Sequence, residues 1–363
     1  MANQPSSSDN PRPRHQLQFS LRAILMLTAI VAVLLTWWRI TSDRSKLEVT
    51  IAEQLRAAGG DVERDRDSRI TDIYVFHVNE SNPEQWSSLT RLRRILSFDS
   101  DCTDADLKTI AKCRSIQELE LNGGSYSGEG LAQLSSLSEL RTLSLKGLIL
   151  STDHISKMNC APSLRTLRVA LKDSAIKELA GKGLLRQLDV LEVQLVADTP
   201  LNAASPPTYQ CHQLDLLNVR GGGVFGLGQL LRLIEGSVVV ELIECELSPA
   251  IMSQLAQIRR LKHLVLTDCA IDNHNTAEPA AFDDLESLTI SGSRFPPSAI
   301  AILHSPQLKR LNLSSSSVGD EVEGIAEAFP SLRNVTVSRG RVSVEGINRL
   351  RESYPRVKID VVK

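Results

Sequence analysis

The feature that most constrains the fold of this chain is a hydrophobic motif that returns about every 24 residues. The motif is Leu-x-x-Leu-x-Leu, with Ile or Val allowed, and successive copies are 23 to 26 residues apart. Eleven copies begin at Leu92, Ile116, Leu140, Leu164, Leu188, Leu214, Ser237, Leu261, Leu285, Leu308 and Leu332. A weaker copy lies at Ile70, Ile73 and Val75, and Val357, Ile359 and Val361 predict a closing strand. Such a period indicates stacked structural repeats, each covering the next.

Each repeat predicts a short strand followed by a returning helix. The alternating Leu-x-Leu places apolar side chains on one side of a strand, and the return segment brings the next strand parallel beside it. Ser248 before Pro249, Thr103 before Asp104, and Ser343 are typical helix starts, because each side chain can cap the first turn. Helices need roughly 10 Å of lateral room and strands only about 4.8 Å, so the stack is expected to curve with its strands on the concave side.

The best copies extend beyond the strand. Leu261, Leu264, Leu266, Cys269 and Ile271 occupy positions one, four, six, nine and eleven. This pattern resembles the leucine-rich-repeat family over roughly residues 68–363, and the cysteine at position nine is similar to its cysteine-containing subtype. The resemblance implies an α/β leucine-rich-repeat solenoid, or horseshoe, of about 11–12 repeats, with a parallel concave sheet and helices on the convex side.

The N-terminal region predicts three segments with different physical properties. Residues 1–18 are polar and proline-rich, which predicts a disordered tail. Residues 19–40 are mostly apolar and end in Trp37 and Trp38, which predicts one transmembrane helix. Residues 41–67, with a helix over 43–58 ended by Gly59 and Gly60, predict a juxtamembrane helical cap on the first repeat. A cleaved signal peptide is the alternative for 19–40, although no small-x-small cleavage site is present.

The predicted location is a bacterial cell membrane, crossed once, because the whole arrangement resembles predicted bacterial membrane-anchored repeat proteins. The repeats are placed on the outer side by analogy with signal anchors. Positive charges on the two sides of the apolar segment are balanced, so the sequence leaves the orientation open.

Composition argues against several functional classes. The chain has 41 basic and 43 acidic residues, and aromatic residues make up 4%, so neither nucleic-acid binding nor aromatic anchor sites are expected. The 7 histidines are scattered, and no spacing indicates a catalytic triad or a zinc site. Cys245 and Cys269 share one repeat position and are expected to be buried structural thiols, although a bridge between them is conceivable. We therefore expect no enzyme, metal, cofactor or small-molecule substrate.

One motif argues the other way. Residues Gly221 to Gly226 match Gly-x-Gly-x-x-Gly after a strand, and Glu241 follows 20 residues after the first glycine, as in dinucleotide-binding turns. The segment also lies in register with the other repeats. A glycine-rich turn between coils is therefore the preferred interpretation, because a lone fingerprint is weak outside its proper fold.

Outward side chains at strand positions three, five and seven predict the partner-binding surface. Arg141, Lys146, Arg165 and Arg168 are expected to form a basic strip, and Asp189, Glu192, Asp215 and Glu241 an acidic strip beside it. The full set of candidate contact residues comprises Glu120, Arg141, Lys146, Arg165, Arg168, Asp189, Glu192, Asp215, Arg220 and Glu241. A solvated charged face that needs no ligand remains the alternative.

The function predicted from the sequence is a non-catalytic, membrane-tethered scaffold that binds a protein through its concave face. Two alternatives stay open. The first is a membrane receptor or regulatory protein that signals through its short N-terminal tail, and the second is a nucleotide-dependent enzyme that uses the Gly221 turn.

Overall fold

The computed structural model describes residues 21–78, 81, 83–98, 101–159, 161–182, 184–196, 212–221, 224–271, 281–293, 300, 303–314 and 316–362. The chain divides into two compact units between Thr50 and Ile51. The predicted tail, residues 1–18, lies outside the described residues.

One long helix, α1, runs from Leu21 to Ala57 and covers both the predicted anchor and the predicted cap helix. In the first unit its apolar side chains, including Trp37 and Trp38, are exposed. The Thr36 hydroxyl donates to the Ala32 carbonyl at 2.7 Å, so this polar group is satisfied within the helix. A stretch of the helix is long and apolar enough to cross a membrane, with a mean hydropathy of 1.6.

The second unit begins with the last turns of α1. There Ile51, Ala52 and Leu55 are buried, and the helix ends where Gly59 adopts a φ of +79°. The Gly60 N–H donates to the Leu55 carbonyl at 2.8 Å, which closes the helix end. Because a side chain at Gly60 would meet the Tyr74 carbonyl at 2.5 Å, glycine allows the chain to turn here.

Among the described residues, the core of the second unit is a 14-stranded sheet whose strands, except the first, are parallel. The strands of this sheet follow one another in chain order, as expected for a solenoid. They are β1 (Asp61–Arg64), β2 (Ile70–Val75), β3 (Arg94–Ser97), β4 (Glu118–Asn122), β5 (Thr142–Leu150), β6 (Thr166–Lys172), β7 (Val190–Val196), β8 (His212–Arg220), β9 (Ile234–Ile243), β11 (His263–Thr267), β13 (Ser287–Ser291), β14 (Arg310–Leu313), β15 (Asn334–Ser338) and β16 (Lys358–Val362). Two short strands, β10 (Glu246–Leu247) and β12 (Ala270–Ile271), pair separately.

The sheet register follows the sequence repeat. Leu143 lies opposite Leu119 on one side and Leu167 on the other, and Leu167 lies opposite Leu191. All four are buried. Burial of each such leucine contributes roughly 2 kcal/mol, and no coil could bury its own row alone. This confirms the predicted parallel stack of leucine-rich-repeat type, and it includes β2 and β16 as the weaker first and last copies.

Helices occupy the return segments. Those described after α1 are α2 (Asp104–Ile110), α3 (Gly128–Gln133), α4 (Thr152–Lys157), α5 (Ile176–Gly181), α6 (Val224–Leu231), α7 (Pro249–Ala256), α8 (Val322–Glu327) and α9 (Val344–Ser353). The predicted starts are confirmed. Ser248 accepts a bond from the Ile251 N–H at 3.3 Å, and Ser343 accepts one from Gly346 at 2.9 Å. Thr103 bonds instead to Asp106, whose carboxylate accepts from its N–H and its hydroxyl.

Some helix caps are also joined between coils by an aspartate. Asp104, at the start of α2, accepts from the N–H and the hydroxyl of Ser127, both at 2.7 Å. Asp320 holds Ser343 in the same way, with both bonds again at 2.7 Å. Each aspartate therefore fixes the start of the following helix. The approach leaves no room for a side chain at Gly346, whose added Cβ would strike the Asp320 carboxylate.

Position nine forms a buried polar ladder between coils. The Cys269 thiol donates to the Leu242 carbonyl at 3.4 Å, and Ser293 does the same toward Leu266 at 3.3 Å. The Cys269 N–H donates to the Ser293 hydroxyl at 2.9 Å. Cys245 and Cys269 are buried free thiols. Small polar groups are needed here because otherwise buried carbonyls would lack partners.

Candidate protein-binding surface

The open face of the sheet is formed by outward side chains at positions three, five and seven of each strand. Along β11, Leu264 and Leu266 are fully buried, whereas Val265 and Thr267 are partly exposed. The same alternation recurs in β13 and β15. Since the inward positions carry the core, the open face is constrained mainly by contacts between neighbouring outward side chains.

Charged candidates on the central strands form pairs across strand boundaries. Lys146 Nζ lies 2.7 Å from Glu120 Oε1, and Arg168 Nε lies 2.8 Å from Glu192 Oε1. The Arg168 and Glu192 side chains are each 34% exposed. Such partly exposed pairs add little stability, on the order of 0–1 kcal/mol. The basic groups Lys146 and Arg168 thus lie on the adjacent strands β5 and β6, and the acidic groups of β4 and β7 lie on either side of them.

Ser144 lies between these two pairs and differs from the expected exposed position. Its register neighbours are Glu120 on β4 and Arg168 on β6, both with longer side chains. Ser144 is 0% exposed and its hydroxyl has no hydrogen-bond partner within the described residues. Leu96 and Ala170 are also buried at outward positions. The expectation that every outward side chain is available to a partner is therefore wrong at these three sites. At Ser144 a short side chain lies between two longer ones.

Three further candidates lie just before strands rather than on the open face. Arg141, Arg165 and Asp189 immediately precede β5, β6 and β7 and are exposed. Arg165 Nη1 donates to the Leu164 carbonyl at 2.9 Å and to the Gln187 carbonyl at 3.3 Å. These residues therefore line the entrance edge of the sheet, displaced from Lys146 and Arg168.

The acidic candidates toward β9 have polar partners. The Asn218 amide donates to Glu241 Oε2 at 2.7 Å across β8 and β9. Arg220 Nη2 lies 3.7 Å from Glu244 Oε1, and both side chains are more than half exposed. The backbone of Asp215 belongs to β8, but its side chain lies outside what the structure describes.

Sequence reasoning missed an aromatic patch at the N-terminal end of the open face, formed by Tyr74, Phe76 and Phe98. The Tyr74 and Phe98 rings stack with centroids 6.4 Å apart, and the Phe76 and Phe98 rings are 5.6 Å apart. Phe76 and Phe98 are 49% and 47% exposed. The Tyr74-x-Phe76 alternation could have revealed this patch, but the low overall aromatic content argued against one.

The patch is set in an acidic environment. The Tyr74 hydroxyl donates to Glu63 Oε1 at 2.9 Å. Burial, this hydrogen bond, and the charges of Glu63 and Asp72 raise the pKa of Tyr74, and Arg94 partly offsets them. Tyr74 therefore remains a neutral hydrogen-bond donor at physiological pH.

A second charged cluster lies at the entrance edge of the C-terminal strands. Glu286 accepts a hydrogen bond from Lys309 Nζ at 3.1 Å and lies 3.9 Å from Lys262 Nζ. The bond to Lys309, followed by the positive charge of that lysine, lowers the pKa of Glu286. This cluster has the same character as the pairs near Arg168 and was not among the sequence candidates.

The glycine motif joins β8 to α6. Gly221 has a φ of +69°, and its N–H donates to the Ile243 carbonyl at 2.8 Å. That N–H is therefore already used by the neighbouring strand rather than directed at a ligand. Gly222 and Gly223 lie outside the described residues.

Metal-ligating side chains are dispersed over the part of the chain that the structure describes, where no three His, Cys, Asp or Glu residues converge on one point. Cys113 is buried, which raises the pKa of its thiol to about 12. Cys160 and Cys211 lie outside the described residues. What the site presents chemically is a surface of paired charges and aromatic rings.

The fold is thus a solenoid of leucine-rich-repeat type with a charged and partly aromatic open face. No protein-family model matches the chain, and no curated protein matches its sequence. A structure of the Rad7–Elc1 complex of yeast aligns at 13% identity and a TM-score of 0.40, over 94% of this chain and 98% of that one. An internalin of Listeria monocytogenes aligns at 14% identity and a TM-score of 0.43, over 86% of this chain and 90% of that one.

A leucine-rich-repeat protein of Leptospira interrogans aligns at 16% identity and a TM-score of 0.37, over 80% of this chain and 88% of that one. These likenesses are distant in both sequence and geometry. The description of the fold therefore rests on the repeat and the strand register of the chain itself.

Proposed function

We propose that this protein is a membrane-tethered, non-catalytic scaffold that binds a protein partner through the open face of its sheet. The observation that supports this is that inward and outward side chains of the described strands have different roles. Inward side chains form one continuous core, and outward side chains form a long polar surface with a small part in folding. Extended surfaces of this kind are what solenoids use for binding.

The proposed contact surface comprises the charged candidates from β4 to β9. Its members are Glu120, Arg141, Lys146, Arg165, Arg168, Asp189, Glu192, Asp215, Arg220 and Glu241. Because the basic groups of β5 and β6 lie between the acidic groups of β4 and β7, a partner must present both signs in the matching order. Such complementarity favours specificity and correct orientation more than affinity.

A charge-reversal experiment tests this surface. A partner captured from a detergent extract with the full chain would be purified, and its affinity measured for the wild type and for the double variant K146E/R168E. We expect at least a tenfold loss, because each reversal places like charges beside Glu120 or Glu192 and opposes the partner. The matched control K146R/R168K keeps the charge and should retain most of the affinity. Equal binding by the wild type and K146E/R168E would contradict the proposal.

The membrane tether is the second part of the proposal. Residues 19–40 would anchor the chain uncleaved in a bacterial cell membrane, with the repeats on the outer side. The apolar exposed surface of α1 and the Trp37–Trp38 pair at one end support this, since tryptophan favours the membrane interface. Resistance of the membrane-bound chain to alkaline carbonate extraction, together with digestion of the repeats by protease added to intact spheroplasts, is the expected result. Release by carbonate, or full protection of the repeats, would contradict it.

The cysteine-containing subtype of leucine-rich repeat is the third part. Cys245 and Cys269 occupy position nine and bond to carbonyls of the preceding coil, which supports this assignment. Serine fills the same position in the next two repeats, so the subtype would be mixed along this chain.

A further inference from the structure

The aromatic patch has features that its structural role does not explain. Phe76 and Phe98 directly follow β2 and β3. Ile73 and Ile95, three residues earlier in each strand, point inward and are fully buried, so the two phenylalanines lie on the side away from the core. About half of each phenylalanine remains in contact with solvent. Two adjacent, half-exposed phenylalanines are costly on a soluble surface and are enriched where proteins bind.

Phe98 is in contact with both of the other rings of the patch. Phe98 stacks on Tyr74 with an interplanar angle of 12° and meets Phe76 at 39°. Because both other rings contact Phe98, the three rings together offer an apolar face on which a side chain of a partner can lie.

Acidic side chains surround this face on the outward positions of β1 to β4. Five carboxylates occur on these described strands with two cations, Arg64 and Arg94. The carboxylates belong to Asp61, Glu63, Asp72, Glu118 and Glu120. Three of the five carboxylates are paired with cations: Glu118 with Arg94 at 3.2 Å, Asp61 with Arg56 at 3.6 Å and Glu120 with Lys146 at 2.7 Å. Glu63 and Asp72 accept hydrogen bonds from the hydroxyls of Tyr74 and Thr71.

We infer that the aromatic patch is the anchor site for a basic segment of the protein partner, in which an apolar side chain is flanked by lysine or arginine. The apolar side chain packs on Phe76 and Phe98, and the flanking cations face Glu63 and Asp72. Arginine can in addition lie over an exposed ring face, where a cation is attracted by the ring electrons. This inference rests on the proposed function and specifies the kind of side chains that the partner presents.

A membrane surface is the other occupant that exposed aromatic rings suggest. The surrounding charge argues against it. Biological membrane surfaces that attract proteins electrostatically are anionic, and they bind clusters of lysine and arginine. Strands with five carboxylates and two arginines keep a net negative charge and would be repelled by such a surface, whereas a basic peptide is attracted.

Peptide selection tests the inference even while the partner is unidentified. The probe is a phage-displayed library of random 12-residue peptides, selected on the full chain in phosphatidylcholine nanodiscs and counter-selected on the variant F76S/F98S. We expect the enriched peptides to combine net positive charge with a leucine or aromatic residue. A synthetic consensus peptide should then bind F76S/F98S at least tenfold more weakly, as measured by fluorescence anisotropy.

Two more variants test the inference independently if F76S/F98S folds poorly. The charge reversal E63K/D72K leaves the rings in place and should select acidic peptides instead of basic ones. The control T289A/T336A removes two small side chains from the open face far from the patch and should bind the consensus peptide as the wild type does. An unchanged peptide preference in E63K/D72K would overturn the inference.

The remaining outcomes separate this inference from the proposed function. Peptides that depend on Lys146 and Arg168 but are insensitive to F76S/F98S would overturn the inference and leave the proposed function in place. A wild-type chain that selects no peptide over empty nanodiscs would contradict both. Protection of β2 and β3 from hydrogen exchange by phosphatidylglycerol nanodiscs alone, without peptide, would assign the patch to lipid and overturn the inference.

Discussion

The two faces of a single strand give the sharpest test of the fold. Leu264 and Val265 are adjacent in β11, but Leu264 is fully buried and Val265 is partly exposed on the open face. Leu264 lies opposite Val240 on one side and Leu288 on the other. Replacing each residue by alanine removes only apolar atoms, so the two variants differ mainly in the side of the sheet that is changed.

The expected magnitudes follow from burial. Leu264→Ala removes apolar carbons from the core at roughly 0.8 kcal/mol per methylene, which gives about 2.4 kcal/mol. The neighbouring coils hold the surrounding rows in place, so a cavity remains and the loss in unfolding free energy should reach about 3–4 kcal/mol. Val265→Ala loses only cross-strand contact and strand preference, which should cost less than about 1 kcal/mol.

Urea unfolding of the full chain in detergent, followed by circular dichroism, measures this difference. Stacked repeats need not unfold in one step, so hydrogen exchange of β9, β11 and β13 should accompany it. Leu264→Ala should raise exchange in these three strands first. Equal destabilisation by the two variants, or a larger effect of Val265→Ala, would refute the assignment of inward and outward faces.

Three other predictions concern the caps and the thiols. Gly346→Ala should lower the melting temperature, because the added Cβ would strike the Asp320 carboxylate. The control Gly324→Ala meets no atom and should raise the melting temperature slightly. Equal shifts in the two variants would contradict the inter-coil cap. Hydrogen bonds from Ser343 lower the pKa of Asp320 below its ordinary 3.8. The ionised carboxylate therefore stabilises the folded protein fully above pH 3.8, and this contribution is lost as the pH falls through the lowered pKa of the folded state. The variant D320N should therefore show a smaller drop in melting temperature on acidification than the wild type, and parallel profiles would count against this. Burial raises the pKa of Cys102 to about 12. Iodoacetamide at neutral pH should therefore label this thiol only after denaturation, as measured by mass spectrometry. Rapid labelling of the native chain would contradict this prediction.

Much of the fold was predictable because the repeat period determines which residues lie opposite one another on neighbouring strands. Once Leu143 is assigned to an inward position, Leu167 and Leu191 must follow it on neighbouring strands, since a slip by one residue would expose the whole row. The helix starts at Ser248 and Ser343 were predictable for a similar reason, because capping depends on a local pattern. These features are decided by short-range chemistry that is visible in one sequence.

The surface was less predictable because it depends on contacts between coils. Lys146 and Arg168 were predicted to face outward on adjacent strands, but their pairing with Glu120 and Glu192 depends on contacts between strands that the repeat pattern does not specify. Ser144 lies between two longer side chains on neighbouring strands, a fact that requires the pairing to be known. The aromatic patch escaped prediction for a different reason: a low average content of aromatic residues says nothing about where the few present are placed.

The spacing of the strands links the proposed contact surface to the aromatic patch. From β2, which carries Tyr74, to β9, which carries Glu241, there are seven strand intervals, or about 34 Å at roughly 4.8 Å each. A standard interface buries about 800 Å² on each partner, which corresponds to a patch roughly 28 Å across. One partner whose contact surface is slightly longer than this standard patch can therefore cover both regions at once. In that arrangement the aromatic patch would supply an apolar anchor at one end, and the ordered ion pairs would fix the direction in which the partner lies along the sheet.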